Sequence, residues 1–209
     1  MNKKIIAILL SALMLIFSAC GALSNAKVST IYIDKKGKVT SATIESLPAE
    51  QYNEDALKES IDVAIAAYNQ GQDTEKIELD SFKVKKEQAT LRMTYASAKD
   101  YEIFNERVLF VGTLAEANAA GYDFQDEFVD AKTASIKGTT LLKDAPDKMV
   151  IITNEPVQIQ TIQDILYTSD NATIIDKKTA QVEAEAGSTD NGIAFGNSAN
   201  AYIIYGEQD

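Results

Sequence analysis

An apolar run from Ile5 to Phe17 stands behind Lys3 and Lys4, and beyond it the chain changes character. From residue 28 onward apolar positions alternate or recur at helical spacing. Residues 28–34 are rich in β-formers, Lys35-Lys36-Gly37-Lys38 supplies turn chemistry, and residues 39–44 return, which predicts a β-hairpin. Asn53 is placed to cap a helix in which Leu57, Ile61, Ala64, Ile65 and Tyr68 share one face, with Gly71 as its stop. Residues 76–84 shift their apolar parity between Leu79 and Phe82, which predicts a bulge or a bend in a strand. Residues 88–95 alternate cleanly: Ala89, Leu91, Met93 and Tyr95 point one way, as in a sheet with one dry and one wet face.

Ser97, with Asp100 three residues on, starts a short helix carrying Tyr101 and Phe104. After an apolar strand at 108–111, Thr113 and Glu116 form a regular capping box for a second short helix ending at Gly121. Residues 122–148 hold only scattered anchors (Phe124, Phe128, Leu141, Leu142) and predict loops and short strands. Brief β-type runs follow at 148–153, 157–161, 165–169, 172–176, 180–184 and 201–205, a β-meander or part of a sandwich. Residues 186–200, rich in Gly, Ser, Asn and Asp, read as a surface loop. The stretch Thr30 to Lys36 is echoed by Thr173 to Lys178, and shared turn chemistry explains this better than duplication. The expected fold class is α+β, a mostly antiparallel β-sheet with one long and two short helices packed on it, in a single domain over 27–209.

Composition narrows the chemistry. The 209 residues include no His, no Trp and one Cys. Histidine bases, Ser-His-Asp and Cys-His machinery, His-containing zinc sites and an internal disulfide are thereby excluded. The opening run is shorter than the roughly 20 apolar residues a bilayer span requires, and a basic start with a small-residue finish is an export signal. Phe17-Ser18-Ala19-Cys20 resembles the bacterial lipobox, with Phe17 where leucine is usual. On this reading residues 1–19 are cleaved, Cys20 is lipidated, and residues 20–26 form a short tether holding the domain close to the outer face of the membrane. Two or three acyl chains, at about 0.8 kcal/mol per buried CH₂, anchor it permanently.

Removing residues 1–19 removes Lys3 and Lys4 and leaves 18 basic against 31 acidic side chains, a charge of −13. That charge speaks against nucleic acid and against adhesion to anionic lipid, and it favours solubility or cationic partners.

Four constellations invite chemical readings. Ser24-Asn25-Ala26-Lys27 has the Ser-x-x-Lys spacing of penicillin-recognising enzymes, without their companion motifs and within the tether. Asp100, Glu102, Asp123 and Asp126 are candidates for the carboxylate pair of a glycosidase, which needs two carboxyls roughly 5 to 10 Å apart. Asp190-Asn191-Gly192 matches a fragment of a calcium loop but lacks its closing acid, so a turn is the better explanation and no metal or other cofactor is expected. Tyr95, Tyr101, Asn105 and Tyr122 form either a polar-aromatic groove or a core whose hydroxyls find partners at its edge, and the core is favoured.

The stretch from Met93 to Asn105, continued by Leu109 to Ala117 and Gly121 to Phe124, together with the lipobox and opening hairpin, resembles uncharacterised cell-surface lipoproteins of Gram-positive, clostridia-like bacteria. The resemblance implies a membrane lipoprotein and carries no activity across. The expected function is therefore a lipid-anchored, non-enzymatic binding module at the cell envelope, its partner an envelope protein, peptide or glycan. The competing expectation is a carboxylate-dependent hydrolase of cell-wall glycan.

Overall fold

A computed structural model describes residues 23–48, 52–130, 134–184 and 199–207. These residues form β1 (Thr30–Ile33), β2 (Val39–Ser46), α1 (Glu54–Asn69), β3 (Ile77–Lys85), β4 (Gln88–Tyr95), α2 (Ala98–Asn105), β5 (Leu109–Thr113), α3 (Leu114–Ala119), β6 (Glu127–Asp130) and β7 (Ser135–Lys137). There follow α4 (Gly138–Asp144), β8 (Met149–Thr153), β9 (Gln158–Gln160), β10 (Ile165–Thr168), β11 (Ala172–Asp176), β12 (Thr179–Val182) and β13 (Ala201–Tyr205). The class is α+β and mostly β. A seven-stranded sheet runs β11-β12-β9-β1-β2-β4-β3 and a six-stranded sheet β5-β8-β13-β10-β6-β7. Strand pairs are antiparallel apart from β1 with β9.

Residue parity along the six-stranded sheet sorts the core into two layers. Ile151 and Ile203 point into a cluster shared with Ile31, Met93, Tyr95 and Ile159 of the seven-stranded sheet. Their neighbours Val150, Ile152 and Ile204 point the other way, into a second cluster with Leu114 and Ala117 of α3, Leu141 of α4, Phe124 and Phe128. β8 and β13 are thus dry on both faces, and their sequences are accordingly continuous apolar runs rather than alternations. α1 and α2 contribute Ile61, Ile65, Tyr68, Tyr101 and Phe104 to the cluster between the sheets. Ala64, although on the expected stripe of α1, is exposed.

Local chemistry explains the boundaries. The Asn53 carboxamide accepts from the Ala56 N–H at 3.0 Å and starts α1, which ends before Gly71 at φ +81°. The Asn69 side chain then clamps the helix to the start of β3, accepting from Lys76 and Ile77 N–H and donating to the Ile77 carbonyl. The bulge in β3 falls at Asp80, between Leu79 and Ser81. Thr113 and Glu116 make the reciprocal capping box. Ser97 accepts from the Asp100 N–H, and Asp100, shorter than Glu, takes the Ser97 hydroxyl instead of its backbone N–H. The echoed segments share one device: Asp34 accepts from Lys36 N–H at 2.7 Å, and Asp176 from Lys178 N–H at 2.8 Å.

Two expectations are corrected. Of the two alternatives for the late strands only the meander fails, because β8, β10 and β13 join the six-stranded sheet while β9, β11 and β12 join the other, with a shared cluster between them as in a sandwich. The connections β8–β9, β9–β10 and β10–β11 each carry the chain across the core to the opposite sheet, while β11 and β12 form a hairpin within one sheet. Among the described residues there is also a fourth helix, α4, beyond the one long and two short helices expected. Its N-cap, Lys137, makes no side-chain cap bond and its first residue is Gly138, so the usual start signals are missing.

Candidate functional site

Tyr95, Tyr101 and Asn105 converge. Tyr95 ends β4 and Tyr101 lies on the inner side of α2, their rings meeting edge to face at 4.9 Å. They are only 1% and 5% exposed, so neither ring lines an open groove. The Tyr95 hydroxyl donates weakly to the Asn105 carboxamide oxygen at 3.4 Å, and the Asn105 amide donates back to the Tyr101 carbonyl at 2.9 Å.

Tyr101 has a partner that the sequence did not suggest. Its hydroxyl donates to both carboxylate oxygens of Glu155, at 2.9 and 3.2 Å. Glu155 sits in the crossing from β8 to β9, where its N–H is held by Thr153 Oγ1 and the adjacent Asn154 accepts from the Val108 N–H. Burial pushes the Glu155 carboxyl above its usual range, while the Tyr101 hydrogen bond and the Arg107 charge pull it back. Burial and the charge of Glu155 push the Tyr101 hydroxyl well above its ordinary value. The proton therefore stays on tyrosine, and the pair is a buried lock joining α2 to the crossing between the sheets. A carboxylate between two strand runs, flanked by Asn154 and Pro156, was the only available signal for it.

Tyr122 belongs elsewhere. It packs on Phe110 at 5.2 Å and on Tyr202 at 6.5 Å in the outer cluster, on the opposite side of the six-stranded sheet from Tyr95 and Tyr101. The structure thus brings Tyr95, Tyr101 and the half-buried Asn105 together and leaves Tyr122 as a ring in another layer. The physical reason is parity: along β5, Leu109 and Val111 face the inner cluster, whereas Phe110 faces the outer.

The four candidate acids divide likewise. Asp100 is engaged by the Ser97 and Tyr68 hydroxyls, and Glu102 pairs with Lys99 at 2.6 Å. Asp123 and Asp126 line a cleft of about 310 Å³ together with Glu127, Asp170 and Glu183. Ser169, Asn171, Asn200, Phe128 and Tyr202 complete much of its wall. Glu183, Asp170 and their neighbours come together because the Glu183 N–H donates to the Asn171 carbonyl at 3.0 Å, a long-range contact invisible along the chain. Glu155, the carboxyl held high by burial, lies half-buried in the β8–β9 crossing and not on this cleft. The arrangement offers acceptors for a cationic or hydrogen-bond-donating ligand.

Ser24 and Lys27 fall in a turn and bend, closed by the Ala26 N–H donating to the Leu23 carbonyl, so no helix presents one to the other. Cys20 and Asp190-Asn191-Gly192 lie outside the described residues. Among the described residues, no cluster of three or more Asp, Glu or Cys is arranged to hold a metal ion, and no helix is long and apolar enough to cross a membrane. Comparison of the chain with protein-family models, with curated proteins and with solved structures finds no match.

Proposed function

We propose that this chain is a lipid-anchored, extracytoplasmic lipoprotein whose α+β domain is a non-enzymatic binding module at the cell envelope. The observation that carries the reading is Cys20, the only cysteine, placed directly behind Phe17-Ser18-Ala19 and a basic-then-apolar leader, with nine residues between it and the first residue of β1. At no more than about 3.6 Å per residue, that interval keeps the domain within a few tens of ångströms of its anchor. The acidic cleft is the concave surface such a module would present, and its carboxylates suit a cationic segment of an envelope protein or peptide. The hydrolase reading gains no comparable support.

Replacing the sulfur tests the reading. Cys20→Ala is expected to move the protein from the membrane fraction to the medium, or to stall it as precursor, and to abolish incorporation of labelled palmitate. An unchanged membrane fraction with no label in the wild-type chain would overturn it.

A further inference from the structure

The opening hairpin fixes where the tether leaves the fold. β1 pairs Thr30 with Ala42, and Ser29 exchanges hydrogen bonds with the Ile44 backbone, so the chain toward Cys20 departs alongside the second half of β2. β2, β4 and β3 continue past that point, pairing Ser46 with Gln88 and Gln88 with Lys85. Four further residues at about 3.3 Å each carry the β3–β4 hairpin roughly 13 Å beyond the start of β1, at the end of the sheet where Ser29 lies.

This tongue is basic in an acidic protein. Lys83, Lys85 and Lys86 are exposed there, as is Lys27 at the base of the tether, against Glu45 and Glu87. Its two-residue turn is made by Lys86 and Glu87, at φ +49° and +59°. Such left-handed turns strongly favour Asn-Gly, which has no Cβ penalty at its second position. Charged side chains held in a costly backbone conformation point to a use for the side chains. At the same end, four strands away, β12 runs out through Val182, whose N–H donates to Val157, into Glu183 and the acidic cleft.

We infer that the β3–β4 tongue is a membrane-contacting foot whose lysines bind anionic phospholipid headgroups and tilt the anchored domain onto its basic edge. The inference rests on the lipoprotein reading. Overall charge repels the body of the domain from an anionic surface, and the local lysines set which edge approaches it. The tilt lifts the carboxylate cleft away from the headgroups and leaves it open to a ligand. Three lysines near an anionic surface shift the contact equilibrium by on the order of a hundredfold.

The test uses the lipidated full chain bearing Gln88→Cys, labelled on the introduced thiol with an environment-sensitive fluorophore; the Cys20 sulfur is then blocked as a thioether. Vesicles of phosphatidylcholine alone are compared with vesicles of phosphatidylcholine and phosphatidylglycerol. The inference expects blue-shifted emission only on the anionic vesicles. The shift should disappear in Lys83→Gln/Lys85→Gln/Lys86→Gln and survive in Lys35→Gln/Lys36→Gln, which alters the opposite end of the hairpin. A chain that floats with both vesicles and emits identically on them overturns the foot and leaves the anchor standing. A chain that floats with neither overturns the anchor, and the foot with it.

Discussion

Between the two sheets the apolar cluster is mainly aliphatic, with Ile31, Ile33, Ile151, Ile159 and Ile203 around the buried hydroxyls of Tyr95 and Tyr101. On the other side of the six-stranded sheet the cluster is built on rings. Phe124 stacks on Phe128 at 6.1 Å, and Tyr202 meets both edge-on at 5.3 and 5.7 Å. The same two strands, β8 and β13, feed both layers. The inner layer achieves specificity with a buried polar lock that must be satisfied, the outer with ring packing that leaves no room for a Cβ at Gly138. Losing a partner should damage the first, and adding or removing volume the second.

The largest effect is expected in the outer layer. Phe128→Ala should lower the unfolding free energy by about 3–5 kcal/mol, read from urea denaturation. Because β8 and β13 belong to both layers, fluorescence and far-UV circular dichroism should report one transition. Two separated transitions would break the comparison as drawn. Gly138→Ala comes next. A Cβ there would stand 2.6 Å from the Phe124 carbonyl oxygen and 2.6 Å from Phe128 Cε2, so the substitution should cost about 1–3 kcal/mol although alanine is the better helix former.

In the inner layer Glu155→Leu leaves the Tyr101 hydroxyl without its acceptor and should cost about 1–3 kcal/mol. Tyr101→Phe added to that background should recover part of the loss, because both polar partners are then gone. Glu155→Gln keeps an acceptor and should fall within about 1 kcal/mol of wild type. Its sign depends on pH. The folded-state pKa of Glu155 is raised, so its contribution is complete below the unfolded value of about 4.3 and is lost as pH rises through the folded value. Wild type should therefore lose ground to Glu155→Gln between pH 4 and pH 7, and a constant difference across that range would contradict the burial of this carboxyl.

The smallest effect is spectroscopic. Burial raises the hydroxyls of Tyr95 and Tyr101 and pushes Tyr205 up to about 12. Unfolded tyrosine ionises near pH 10, so the stability these residues contribute is intact below pH 10 and is lost as pH climbs through the folded values. Absorbance at alkaline pH should show this inner set ionising together with unfolding. Independent titration of all three in the folded protein would mean that the inner layer is open.

Legibility divided along the same line. The inner layer announced itself through strict alternation in β4, the parity shift at the Asp80 bulge and the Asn53 cap, because these are signals within one turn or one strand, and of the outer layer only α3 did so, through the Thr113 box. The rest of the outer layer did not, since Phe124, Phe128 and Leu141 come from a connection, a short strand and a helix without a side-chain cap, and only tertiary packing unites them. The candidate sites follow suit. Tyr95, Tyr101 and Asn105 are close in sequence and meet, whereas Glu155 and the Asp170–Glu183 wall of the cleft depend on contacts far apart along the chain. Which sheet each late strand joins was likewise beyond reach, because a crossing between sheets leaves no mark on a strand of three to five residues.

The central claim, an acidic module fixed to the membrane through Cys20, is tested most directly by the intact mass of the chain extracted from membranes with detergent. The account predicts a polypeptide beginning at Cys20 and heavier by a diacylglyceryl thioether, with or without an N-terminal acyl chain. A chain that retains residues 1–19, or one that begins elsewhere with no added lipid, would contradict it.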